Sequence, residues 1–264
     1  MKSGVIAGVL LGVMMLLASW SWAEDAVTGL TPQQLLIQAR SMFPREKIQV
    51  SGLLGTAEVR GQNERFQAYT LLLNWAGGVP RADCRLYREK GDKMPILRAE
   101  LSRQDGAPKL VLFGSDGERV EGSRLNAPIG ESDLTWMDLM FDFLWWKKVR
   151  RVPEEELEAK QIPTRISGRS DCVVLEAEPP VALPGLSAVR LWIDHGTGNL
   201  LQTEQLDEAG EPTRQMFVQR VGRENGRWVP REFRIRRLGR SHITRLLVSE
   251  VKMASFTSKG EEHD

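Results

Sequence analysis

Histidine and cysteine are scarce in this sequence, three and two among 264 residues. His263 lies in the C-terminal tail, while His195 and His242 fall in a turn and at a strand edge. Two cysteines with no histidine nearby do not make a zinc site. The motifs G-x-S-x-G and H-E-x-x-H and a glycine-rich phosphate cradle are all absent. Asp194-His195 reads as a turn whose side chains satisfy local backbone groups. Glu154, Glu155 and Glu156 are consecutive, so they cannot share one helix face and read as a solvated run. No catalytic residue, metal or cofactor is expected, and the sequence does not favour an enzyme. It also lacks a nucleic-acid reader motif.

Long apolar runs are confined to the N-terminus. The only charge before Glu24 is Lys2, residues 5–17 are apolar, and Ser21-Trp22-Ala23 offers small residues at a cleavage site. Residues 1–23 read as a signal peptide, with an uncleaved inner-membrane anchor as the alternative. No cysteine stands near the junction to be lipidated. No glycine-serine or proline-rich linker divides the remainder, so 24–257 is expected to be one domain and 258–264 a polar tail. Removing Lys2 leaves 35 basic and 35 acidic residues. Residues 212–253 nevertheless hold 11 Lys and Arg against 3 Asp and Glu, so the rest of the mature chain carries the compensating negative charge. That basic stretch reads as the solvent face of amphipathic strands or as a surface for anionic headgroups or an acidic partner.

What abounds is alternation punctuated by turns. Val189, Leu191 and Ile193 alternate with Arg190, Trp192 and Asp194, the period of a half-buried strand. Glycines in 196–198 and the break at 208–212 then reverse the chain twice, which makes a β-meander. Six earlier strands are expected at 47–60, 65–75, 81–88, 96–101, 110–113 and 119–121, separated by turns at 61–64 and 77–78 and by Asp105-Gly106 and Asp116-Gly117. Thr31-Pro32 opens a short helix that buries Leu35, Leu36 and Ala39. After a solvated helix at 154–160, strands follow at 162–178, with Val173, Leu175 and Ala177 on one face, then at 228–237 beyond a turn at 225–226, and at 242–253. Pro230 marks an edge, a bulge or a strand start. The fold class is mainly β (α+β), a curved antiparallel sheet with a helical lid. Cys84 and Cys172 form a disulfide worth about 4–5 kcal/mol in the chain-entropy model, or Cys84, alternating with Ala82 and Leu86, is a buried free thiol.

One segment departs from the alternation. Residues 132–149 read as a helix, with Ser132 as N-cap, Asp133 in the first turn and apolar side chains nearly all round. Lys147, Lys148, Arg150 and Arg151 supply a cationic C-terminus before Pro153. Such a helix either fills the concave face of the sheet as core or roofs a cavity as a lid. On the lid reading, Trp136, Met137, Met140, Phe143 and Leu144, with Trp75, Leu191 and Phe233 from the strands, line an apolar ligand site.

Several ordered motifs lie between about 131 and 256. They are Ser132-Asp133-Leu134-Thr135-Trp136-Met137-Asp138-Leu139, Asp171-Cys172-Val173-Val174-Leu175-Glu176, and Val189-Arg190-Leu191-Trp192-Ile193-Asp194. Leu201-Gln202-Thr203-Glu204 and Trp228-Val229-Pro230 follow, leading to His242-Ile243-Thr244-Arg245-Leu246. In this order they resemble the LolA-like family of outer-membrane lipoprotein-sorting proteins. The resemblance implies a half-open β-barrel with a helical lid, and a monomeric periplasmic carrier of lipoprotein or phospholipid acyl chains. It also implies an inner-membrane exporter and an outer-membrane acceptor as partners. The alternative function is an envelope protein-interaction module, a stress sensor or exporter subunit, that uses the basic C-terminal strands.

Overall fold

The computed structural model describes residues 29–253 except 42, 44–45, 59–64, 76–79, 105, 123, 167–169 and 225–226. The expected signal peptide at 1–23, the tail at 258–264 and the turns at 61–64, 77–78 and 225–226 lie outside the described residues.

Helix α1 (Pro32–Ser41) begins where Thr31 and Gln34 cap each other: Thr31 N donates to Gln34 Oε1 and Gln34 N to Thr31 Oγ1. Its buried face is Leu35, Leu36 and Ala39, as the spacing indicates. Six strands then run in sequence order: β1 (Ile48–Glu58), β2 (Arg65–Asn74), β3 (Arg81–Tyr87), β4 (Leu97–Gln104), β5 (Ala107–Gly114) and β6 (Arg119–Val120). The second arm comprises β7 (Lys148–Arg151), β8 (Arg165–Ile166), β9 (Ser170–Glu178), β10 (Ala188–Asp194), β11 (Leu200–Leu206), β12 (Pro212–Glu224), β13 (Arg227–Arg237) and β14 (His242–Met253). All form one curved antiparallel sheet in the order β6-β5-β4-β3-β2-β1-β14-β13-β12-β11-β10-β9-β7, with β8 beside β9. The sheet does not close. Its edges are the two-residue β6 and the four-residue β7, which carries Lys148, Arg150 and Arg151; short and cationic edges discourage pairing with other chains.

Each arm is a run of hairpins, and the arms meet where β1 pairs along its whole length with β14. Gly52 lets them meet: a Cβ there would lie 1.8 Å from the Leu247 carbonyl oxygen and 2.9 Å from the Tyr69 ring. Tyr69 reaches over the glycine to donate its hydroxyl to that same oxygen at 3.3 Å. Both arms turn an apolar face to the inside of the curve, including Leu71, Leu86 and Leu101 from one and Leu175, Leu191 and Ile235 from the other.

The half-buried reading of β10 needs correction, because its outer face is covered too. Trp192 is fully buried among Val152, Ile162 and Val174, under Leu157 of helix α3 (Glu154–Ala159), and its Nε1 donates to the Pro163 carbonyl. Arg190 lies in a row running straight across the strands, in which Arg150, Glu176, Arg190, Glu204, Gln215 and Arg236 are register partners in turn. Its guanidinium donates to Glu176 at 2.9 and 3.1 Å and to Glu204 at 3.2 Å, so this buried charge is paired on both sides.

Candidate functional site

The segment expected as one helix over 132–149 is broken. Helix α2 spans only Trp136–Met140, a 3-10 turn spans Asp142–Trp145, and the cationic residues assigned to a helix terminus form strand β7. Thr135, not Ser132, is the N-cap; Ser132 Oγ donates to the Ile129 carbonyl instead. The joint is Phe141, at φ 50° and ψ 41°, a left-handed conformation that costs a bulky residue about 1–3 kcal/mol. Its surroundings hold it there. The Phe141 ring stands 5.0 Å from Phe43, 5.9 Å from Phe233, 6.0 Å from Phe143 and 6.4 Å from Trp75. Breaking the helix directs side chains inward from every side of the segment, which is why the sequence looks apolar all round.

The only charged residues from 132 to 146 are Asp133, Asp138 and Asp142, all buried, and each meets cations on a strand. Asp138 accepts from Thr135 N at 2.8 Å and Thr135 Oγ1 at 2.7 Å, which caps the helix. It also takes a two-pronged contact from Arg214 of β12, Nη1 to Oδ2 at 2.6 Å and Nη2 to Oδ1 at 2.8 Å. Arg214 Nη1 donates to the Asp133 carbonyl as well, at 2.8 Å. Asp142 accepts from Arg103 of β4 and from Trp146 Nε1. Asp133 donates its backbone N–H to Thr244 Oγ1 at 2.7 Å, and its carboxylate lies 3.0 Å from His242 Nε2 and 3.5 Å from Arg237 Nε. Those last two approaches are close enough for charge attraction but badly aligned for hydrogen bonds. The insert is thus fastened by its own aspartates to strands of both arms.

Trp136, Met137, Met140, Phe143, Leu144, Trp75, Leu191 and Phe233 all fall in one buried cluster between the insert and the two arms. The structure brings these eight together, but none sits on an open wall. The partly buried aromatic members of the layer are Phe43, Phe141 and Trp145, with Trp145 4.7 Å from Trp75 and beneath the Arg40 guanidinium at 5.5 Å. Burial, then the neighbouring Arg103, pull the Arg40 guanidinium below its ordinary value. The fastening residues Arg103, Arg214 and the three aspartates were not singled out by periodicity as a site. Their signal is compositional: three carboxylates in an otherwise apolar run require buried partners.

Of the two cysteine readings the structure supports the unbridged one: Cys84 and Cys172 form no disulfide, and Cys84 is a buried thiol. Cys84 in β3 faces the main core, whereas Cys172 in β9 packs on the outer cluster of the far arm, so the two occupy opposite faces. Burial, reinforced by Asp83, pushes the Cys84 thiol up to about 12, and burial with Asp194 does the same for Cys172. His195 occupies the β10–β11 turn, where Asp194 Oδ1 accepts from Thr197 N at 2.7 Å and Thr197 Oγ1 at 2.6 Å. Among the described residues no group of three or more His, Cys, Asp or Glu could hold a metal, and no helix is long and apolar enough to cross a membrane.

This open curved antiparallel fold has counterparts among known structures. A DUF1329 family protein from Desulfovibrio piger superposes with a TM-score of 0.67 at 14% identity, covering 85% of this chain and 94% of that one. A putative outer membrane lipoprotein-sorting protein domain from Vibrio parahaemolyticus gives 0.66 at 14% identity, with 88% and 94% covered. The LolA superfamily protein NE2245 from Nitrosomonas europaea gives 0.65 at 16% identity, with 86% and 96% covered. No curated protein sequence matches the chain. A family model described as an uncharacterized protein matches residues 116–259, more than half the sequence, from before the insert to beyond the last strand. The chain belongs to the family that this model describes, and its fold is that of the LolA-like proteins.

Proposed function

We propose that this protein is a periplasmic carrier that shelters the acyl chains of lipoproteins or other lipids on the inner face of its sheet and moves them toward the outer membrane. The observation that carries this reading is the apolar layer between insert and sheet, over which the ion pairs Asp138–Arg214 and Asp142–Arg103 fasten the insert. Burying Met137, Leu139, Met140, Phe143 and Leu144 is worth roughly 7–15 kcal/mol at about 1.5–3 kcal/mol per side chain. An acyl chain of about a dozen methylenes gains roughly 10 kcal/mol on leaving water. The two are of the same order, so a fatty chain can replace the insert against the sheet without a large net cost. The relative from Vibrio parahaemolyticus is described as a putative outer membrane lipoprotein-sorting protein domain, which agrees with this role. The protein acts as a monomeric domain spanning 24–257, takes cargo from an inner-membrane exporter and gives it to an outer-membrane acceptor; it binds and does not catalyse.

Two measurements test the proposal. Mass spectrometry of organic extracts from protein isolated out of the periplasm should find acylated lipid in molar proportion. A dibrominated fatty acid should quench the fluorescence of Trp75 and Trp145, because bromine quenches only on contact. Absence of bound lipid together with unquenched fluorescence refutes the reading.

A further inference from the structure

The sheet is split at one place. Strand β14 pairs with β1 from His242 to Met253, and β13 pairs with β12 down to Arg227. Between β13 and β14, however, only Glu232–Ile235 pair with Thr244–Leu247. Irregularities at the same level force the two strands apart. The β1–β14 register skips Ser249, the β12–β13 register shifts on both sides of Arg220, and Pro230 brings no N–H to the ladder. The gap is a cleft of about 320 Å³ lined by Arg220, Val221, Arg231, Val248 and Ser249. Alternation along β13 places Arg231 on the core side with Phe233 and Ile235, while the buried Glu232 and its exposed partner Arg220 take the opposite face. Val248 packs against the core, and Val221 is 56% exposed. The cleft therefore runs from the outer surface to the margin of the apolar layer.

Its charge is positive. Glu232 receives Arg220 at 2.9 Å, Arg234 at 3.0 Å and Arg245 at 3.1 Å, and Arg231 pairs with Glu224 while reaching the Ser249 carbonyl at 3.5 Å. The lining itself thus carries two guanidiniums, Arg220 and Arg231, and no carboxylate. We propose that this cleft is a lateral port for an anionic phospholipid, with Arg220 and Arg231 holding the phosphodiester and the acyl chain passing over Val221 and Val248 to the core. The inference rests on the acyl-carrier reading and names a lipid class and an entry point for it. Guanidinium forks match phosphate oxygens in pairs, and the adjacent valines suit a chain in place of a free ion. An extended peptide fits less well, since Pro230 and the Ser249 irregularity interrupt the ladder that an added strand would need.

The test is titration calorimetry of the mature protein with dihexanoyl phosphatidylglycerol, dihexanoyl phosphatidylcholine and inorganic phosphate. Phosphatidylglycerol should bind most tightly, and R220Q/R231Q should weaken it by about tenfold or more, the scale of lost charge-assisted hydrogen bonds. V221N should weaken the lipid but not phosphate. R240Q, in the exposed turn at the other end of β13, should change neither. Equal affinity for phosphate and lipid, or a double variant that keeps its fold and its lipid affinity, overturns the port, as does displacement of the lipid by an acidic peptide. If the double variant binds normally and brominated fatty acid still quenches the tryptophans, the port fails while the carrier reading stands. If quenching is also absent, the carrier reading fails with it.

Discussion

Replacing Asp138 by asparagine keeps the shape of the insert's cap but removes the anion from a guanidinium that is 3% exposed. Breaking a buried pair from one side costs about 3–5 kcal/mol, because the remaining charge stays desolvated. Arg214 also donates to the Asp133 carbonyl, so the stranded charge bears directly on the insert. If the pair is a fastening, the loss falls on opening of the insert and not on the sheet. At about 1.4 kcal/mol per tenfold, the open population rises by roughly two to three and a half decades. Hydrogen exchange reads this amide by amide. Met137, Phe141 and Leu144 donate their N–H groups within the insert and its approach, to Leu125, Asp138 and Phe141. These amides should exchange faster by that factor, while the β10 amides from Val189 to Ile193 stay at the wild-type rate. Pairing the change with a second, as D138N/R214M, keeps an acceptor for Thr135, removes both charges and should restore most of the protection. Acceleration under tenfold, or equal acceleration in β10, would show that the ion pair supports the whole fold and does not close a lid.

G52A should lower the melting temperature sharply, since the new methyl would collide with the Leu247 backbone; Y69F, which loses one long hydrogen bond, should cost about 1 kcal/mol or less in denaturant unfolding. Hydrogen bonds from Arg150 and Lys160 hold the Glu156 carboxyl at about 2, below its ordinary 4.5. Its contribution is therefore complete above about pH 4.5 and disappears as the pH falls toward 2, so E156Q should flatten the unfolding free energy over that window by about 1 kcal/mol or less. Cys84 and Cys172, with thiols pushed up to about 12, should react with iodoacetamide at pH 8 only after unfolding. Rapid labelling of the native protein at Cys84 would contradict its burial.

Strands and turns were legible because their cues are local. Alternation located β1 through β6, β10, β11, β13 and β14 to within a few residues, whereas the strand expected over 162–178 divides into β8 and β9; Leu35, Leu36 and Ala39 marked the buried face of α1. Pro230 signalled the irregularity at which β12 and β13 change register. The insert misled because an apolar run has no visible period: a long buried helix and a short one joined by a left-handed phenylalanine to a 3-10 turn look alike in sequence. Arg190 and Trp192 looked solvent-facing because their cover, α3 and the cross-strand carboxylates, comes from elsewhere in the chain. The two cysteine readings stayed open in the sequence for the same reason: spacing does not say which face of a sheet each cysteine occupies. The eight residues named for the apolar site do share one cluster, but the aspartates that fasten the insert over it carry no periodic signature.

The pairing of β1 with β14 has a consequence for how the molecule is made. Every other pairing in the sheet joins strands that emerge from the ribosome within a short interval of each other, but this one joins the earliest strand to the latest. Until residue 242 has been synthesised, one side of β1 displays an unpaired backbone to whatever is nearby. A nascent chain of this design therefore spends nearly its whole synthesis with a sticky border, and needs a guardian or a quick finish to avoid joining its neighbours.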